Sequence, residues 1–329
     1  MDPLQSTLKP EEVTRVLIQQ AVTKHRMRYD LVFFKAVLAG LMLSFGALMN
    51  EIVSSGTPSL SAATANPAIP KILGGFVFPS GFVLIPMLGL ELLTSNMMVF
   101  PLGIAAGQIP WWSLLINWII VTFGNLVGSL FSGDILLNFS NGILSSEPFF
   151  TGVQTFASKK AVDPEFHQIF LRGIGCNILV CIAIWLGTGA RETVSKLVAI
   201  WIPIWVTNIL ISFVGRSTHL FSRRYLLPAL LIMVFLVFSL QYALKSTSDV
   251  VYWSIFLFSP RLLGIMFDTP SLSTAYYIRK SLIATYLGNI VGAFIVWGPA
   301  AWFYIWSSEH DPSSQTLHDA EAGFILKDR

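Results

Sequence analysis

Apolar residues along this chain gather into runs long enough to cross a bilayer, separated by polar stretches. One helical crossing needs about 20 apolar residues. The first run is Leu31 to Ile52, with Lys35 near its start, where the amine can reach the interface on its own stem. The second, Ile72 to Phe100, is too long for one plain helix. Polar groups interrupt it at Gly89-Leu90-Glu91-Leu92-Leu93-Thr94-Ser95-Asn96, and Met97 to Ile104 resumes the apolar pattern. This predicts two half-helices joined by an unwound turn, the second starting near Asn96. Such backbone is tolerated at membrane depth only where it faces protein or a cavity. Trp112 to Phe131, Phe170 to Leu186 and Lys196 to Val214 are the third to fifth runs. The last clear run is Leu282 to Trp306, and its Trp302, Tyr304 and Trp306 form an interfacial belt. A polar stretch from Ser132 to about Glu165 holds a glycosylation sequon, Asn138-Phe139-Ser140. Tyr225 to Leu244 and Val250 to Phe267 are apolar as well, and counting both gives eight crossings instead of six. The loop between Arg216 and Arg224 would then lie outside with its three arginines, against the positive-inside tendency.

Polar residues inside the runs change the picture. Gly124-Asn125-Leu126-Val127-Gly128 recurs as Gly288-Asn289-Ile290-Val291-Gly292, each time within a long apolar segment. An amide at that depth finds no partner in hydrocarbon, and flanking glycines let another helix approach closely. The recurrence predicts a duplicated helical unit. The boundaries are a polar amino-terminal segment at 1–30, inside the cell, and a membrane domain at 31–306. That domain holds one repeat at 31–131 and another at 166–306, and a polar tail follows at 307–329. No cleavable signal peptide is visible, and the first apolar run is expected to act as the insertion signal.

Composition narrows the class. Of 329 residues, 54% are hydrophobic and 12% charged, about half the charge of a soluble domain, so lipid must serve as solvent. A net charge of +3 is too small to imply nucleic acid. Cys176 and Cys181 sit on different faces of one apolar helix and read as core residues, not a disulfide. The histidines at 25, 167, 219, 310 and 318 are scattered, and no metal-ligand spacing, phosphate loop or nucleophile–base set stands out. The chain is therefore expected to be no enzyme and to need no cofactor. Glu91, the one carboxylate deep in a run, reads as a cap or anchor of the broken helix. Asn66-Pro67-Ala68 spells the short signature of neutral-solute channels, but a single three-residue copy is cheap.

Leu90 to Asn96, Phe170-Leu171-Arg172-Gly173-Ile174-Gly175-Cys176-Asn177-Ile178-Leu179-Val180-Cys181 and Ser273 to Leu282 resemble the formate/nitrite transporter family, particularly its fungal nitrite-transporter branch. The resemblance covers roughly Lys35 to Pro203 and Thr269 to Trp306. It implies an all-α, multi-pass, aquaporin-like protomer of six transmembrane helices in two inverted halves, with helices two and five broken. It also implies a homopentamer in the plasma membrane with one pore per protomer, carrying nitrite or formate, with or without a proton. On this resemblance Thr94 hydrogen-bonds near the pore centre and Asn177 lies beside the pore. Phe82 and Leu93 sit near apolar constrictions, Lys160 draws anions into the outer vestibule, and Asn125 and Asn289 are helix-packing amides. The family's central histidine motif is missing: Pro203 is followed by Ile204-Trp205-Val206-Thr207-Asn208-Ile209, and the flanks of His219 do not match. The block 205–268 looks replaced, through lineage divergence or an error in the gene model. A non-transporting relative is the alternative reading.

Overall fold

The computed structural model of the protein describes residues 7–61, 66, 68–133, 143, 146–157, 163–213 and 278–306. Lys160, the sequon at Asn138, His219, the apolar stretches 225–244 and 250–267 and the tail 307–329 lie outside the described residues.

The described residues fold mainly into helices. The first, α1 (Pro10–His25), is set by local chemistry: Pro10 opens it, Glu11 and Glu12 lie in its first turn and Lys24 and His25 in its last. The Glu12 carboxylate accepts the Lys9 N–H at 2.8 Å. Val13, Leu17 and Ala21, spaced four apart, are buried along one stripe. The amino-terminal segment is thus a docked amphipathic helix over most of its described length, where polarity alone suggested a plain polar segment. Leu8 donates to the Gly189 carbonyl at 2.8 Å, tying its start to the far half of the chain.

Then follow α2 (Tyr29–Ser55), the short α3 (Pro58–Ser61), α4 (Ala68–Val77), α5 (Pro79–Met87), α6 (Leu93–Ala105), α7 (Trp111–Leu130) and α8 (Phe149–Ala157). The second half contributes α9 (Phe166–Gly189), α10 (Thr193–Phe213) and α11 (Ile283–Ala301), the last between π-helical turns at Ile278–Leu282 and Trp302–Trp306. Among the described residues, five helical segments are long and apolar enough to cross a membrane: Tyr29–Ser55, Ala68–Met87, Trp111–Gly133, Phe166–Gly189 and Arg279–Trp306. Leu93–Ala105 is a shorter apolar helix, as a half-helix would be, and Thr193–Val206 is the apolar first part of α10. The protein is an all-α, multi-pass membrane protein.

Two helix pairs hold the described residues together, α2 with α7 and α9 with α11. They meet in the same way. A Cβ on Gly128 would strike the Val37 carbonyl, and one on Gly292 would strike that of Ile174. Gly124 lies over Phe33 and Ala36, and Gly288 over Phe170 and Gly173. The repeated glycines are therefore close-approach points, and the residues they meet correspond in order: Phe33 with Phe170, Ala36 with Gly173, Val37 with Ile174.

Candidate transport site

The break between α5 and α6 organises the centre. Gly89 has φ +63°, a conformation that only glycine adopts cheaply. The Leu90 N–H returns to the Ile85 carbonyl at 2.9 Å and the Gly89 N–H to Pro86 at 3.3 Å, closing α5 as a Schellman cap. Leu90 to Leu92 run unwound, and α6 begins at Leu93. The half-helix starts three residues earlier than the polar run suggested, so Thr94, Ser95 and Asn96 occupy its first turn and not the unwound turn. The reason lies on α7. The Asn125 Oδ1 accepts the Leu93 N–H at 3.0 Å, while its Nδ2 donates to the carbonyls of Ala36 at 2.9 Å and Glu91 at 2.8 Å. Asn125 pins the unwound turn to α2 and α7 and caps α6 from outside it.

Four N–H groups at a helix start lack intrahelical partners. Here Asn125 takes that of Leu93, and Asn96 N–H reaches Leu92 at 3.1 Å. The N–H groups of Thr94 and Ser95 stay open among the described residues, at the positive end of α6. The Thr94 hydroxyl is buried without a partner among the described residues. Asn177 on α9 is fully buried. Its Nδ2 donates to the Asn289 carbonyl at 2.7 Å and lies 3.8 Å from the Met97 sulfur, one turn beyond Thr94. A carbonyl oxygen can only accept, so the amide orientation is fixed and Oδ1, which has no partner, faces the other way. Phe82 is buried in the core around this region, together with Phe78 and Leu92. Leu93 is only half-buried and leans partly on Val32, Ala36 and Val121. Asn289 is buried with its Oδ1 unpartnered.

Beside the break lies a charged cluster. The Lys24 Nζ donates to Glu91 Oε2 at 2.8 Å and to Asn96 Oδ1 at 2.9 Å. Asn96 Nδ2 donates to the same Glu91 oxygen at 2.8 Å and to Asn117 Oδ1 at 2.9 Å. Glu91 thus ties the unwound turn to the end of α1. Sequence reasoning singled out none of Lys24, Asn117, Phe78 and Leu92. The stripe of Val13, Leu17 and Ala21, spaced four apart, was the available signal for a docked α1. Among the described residues no group of three or more histidine, cysteine or acidic side chains could hold a metal.

A break between apolar half-helices, open helix-start donors and an amide oxygen unpaired among the described residues are features a membrane transport protein can use. The chain belongs to the formate/nitrite transporter family, whose model matches residues 11–303. It is a transporter, not an enzyme. It is 34% identical over 196 residues to the formate channel BtFdhC of Bacillus thuringiensis, covering 60% of this chain and 73% of that one. It is 31% identical over 286 residues to an uncharacterised transporter of Saccharomyces cerevisiae, covering 87% of this chain and 38% of the longer yeast protein. A pentameric formate channel solved with formate bound shares the fold at TM-score 0.58 and 23% identity, over 83% of this chain and 96% of that one.

Proposed function

We propose that each protomer carries small monovalent anions of weak acids, formate or nitrite, past Thr94 and Asn177, and that the solute takes a proton with it. The observation that carries this reading is the occurrence of opposite chemistry along the first turns of α6, where Asn177 meets Met97 one turn beyond Thr94. The start of α6 offers open donors at Thr94 and Ser95, while Asn177 offers an unpaired acceptor oxygen. Donors suit the oxygens of a carboxylate-like anion, and an acceptor suits the hydroxyl of the protonated acid. A bare anion in an apolar pore faces a penalty of many kcal/mol, which a proton removes.

Lys24, held at the end of α1, supplies a positive charge beside the path on that side. The correspondence of Phe33 with Phe170 carries Lys24 to within one residue of Lys160, in keeping with Lys160 as the charge at the other mouth. Phe82 and Leu93 are assigned to the constrictions, with Leu92 and Phe78 beside them. Assembly as a homopentamer in the plasma membrane completes the reading, supported by the shared fold of the pentameric channel and by the apolar outer stripe of Leu115, Ile119, Phe123 and Val127 on α7. In a cell lacking its own nitrite transporter, the wild-type chain restores nitrite uptake and Thr94→Val lowers it at least about ten-fold, the range for losing one oriented donor. Unchanged uptake in Thr94→Val removes Thr94 from the path.

A further inference from the structure

Asn117 on α7 touches neither the break nor the centre, yet it completes the cluster that holds Lys24. Both amide hydrogens of Asn96 are used, one on Glu91 Oε2 at 2.8 Å and one on Asn117 Oδ1 at 2.9 Å, so the Asn96 oxygen is presented to Lys24 Nζ at 2.9 Å. The neighbouring Trp118 indole N–H donates to the Asn96 carbonyl at 3.4 Å, clamping the same residue from the same helix. Asn117 is 5% exposed. With its oxygen committed, its Nδ2 has no partner among the described residues, and it borders a cavity of about 10 Å³, room for one water, shared with Lys24, His25 and Ser113. The His25 Nδ1 and Ser113 Oγ close the far side of that cavity at 2.7 Å.

We infer that Asn117 is a positioning residue for transport: through Asn96 it fixes where the Lys24 ammonium stands at the α1 mouth. The inference rests on the transport reading of Lys24, but its geometry does not. Among the described residues Lys24 has two acceptors, Glu91 and Asn96, and only Asn96 is free to turn away if its second hydrogen loses a partner. A buried amide hydrogen without an acceptor seeks a new one, and rotation of Asn96 toward such a partner withdraws its oxygen from Lys24.

Two variants separate this from plain packing. Asn117→Leu keeps the bulk and removes the acceptor. Asn117→Asp keeps an oxygen toward Asn96 and exchanges the amide hydrogens for a second carboxylate charge beside Lys24. On purified protein, the acetylation rate of Lys24 by acetic anhydride, read by mass spectrometry, rises several-fold in Asn117→Leu and falls several-fold in Asn117→Asp. In proteoliposomes the apparent KM for formate rises in both, from a displaced cation in one and an added anion in the other. Equal reactivity of Lys24 in the two variants and the wild type, or a change in the same direction in both, overturns the inference. A KM at the wild-type value in both overturns it as well, whatever happens to the amount of assembled protein. If Asn117→Leu does not assemble, the fall in Lys24 reactivity and the KM of Asn117→Asp decide alone. Shifted Lys24 reactivity with no formate flux in any protein, wild type included, sinks the transport reading and leaves the positioning role standing.

Discussion

A side-chain amide has two hydrogens to give and an oxygen to receive, and Asn125 spends all three on backbone groups of three segments. Removing it leaves the Leu93 N–H and the Glu91 carbonyl buried without partners, at about 1–3 kcal/mol for each group. Asn125→Leu is therefore expected to lower the thermal midpoint in detergent and to reduce transport, because Thr94 follows directly on the uncapped residue. A midpoint equal to wild type contradicts the pinning role. The amide itself was legible in the sequence, since Gly124 to Gly128 repeats at Gly288 to Gly292. Its partners were not, because they lie on segments that only tertiary packing brings together. Lys24 was illegible for a similar reason: a lysine among mixed charges gains a role only when α1 folds back beneath Glu91.

Helices settle where the chain bends and how closely it packs. The break was readable from the polar run after Gly89, but its second half starts at Leu93 and not near Asn96. Polarity marks an interruption, whereas the cap that ends it comes from α7, far along the chain. The fourth run, with Asn177 inside, and the close-approach glycines were readable directly. At Gly128 an added Cβ meets the Val37 carbonyl, which is backbone and has no rotamer to yield. Gly128→Val is thus expected to cost about 1–3 kcal/mol or more, as overpacking does. Fluorescence-detected size exclusion after heating checks this: a wild-type melting profile would mean that α2 and α7 do not meet there. The matching contact of Gly292 with Ile174 makes Gly292→Val the paired case in the second half.

Across the described residues, two like helix pairs and the broken helix between Pro79 and Ala105 bring a helix start and an amide within a turn of one another along α6, with α1 packed against α6. Composition alone led to the membrane, and the motifs around Thr94 and Asn177 led to the family. The chemistry of the centre needed coordinates, because which face of Asn177 is spent on Asn289 cannot be read from its neighbours in sequence. On the proposed reading, with the family's histidine motif missing after Pro203, charge management falls to those groups and to a proton carried by the solute. The most direct test is formate uptake into proteoliposomes that report internal pH, under an inward formate gradient with the voltage clamped by potassium and valinomycin. The account predicts internal acidification that accompanies uptake, persists at zero voltage and is largely lost in Thr94→Val and Asn177→Leu. Absence of formate flux in the wild-type protein, or full flux in both variants, would contradict it.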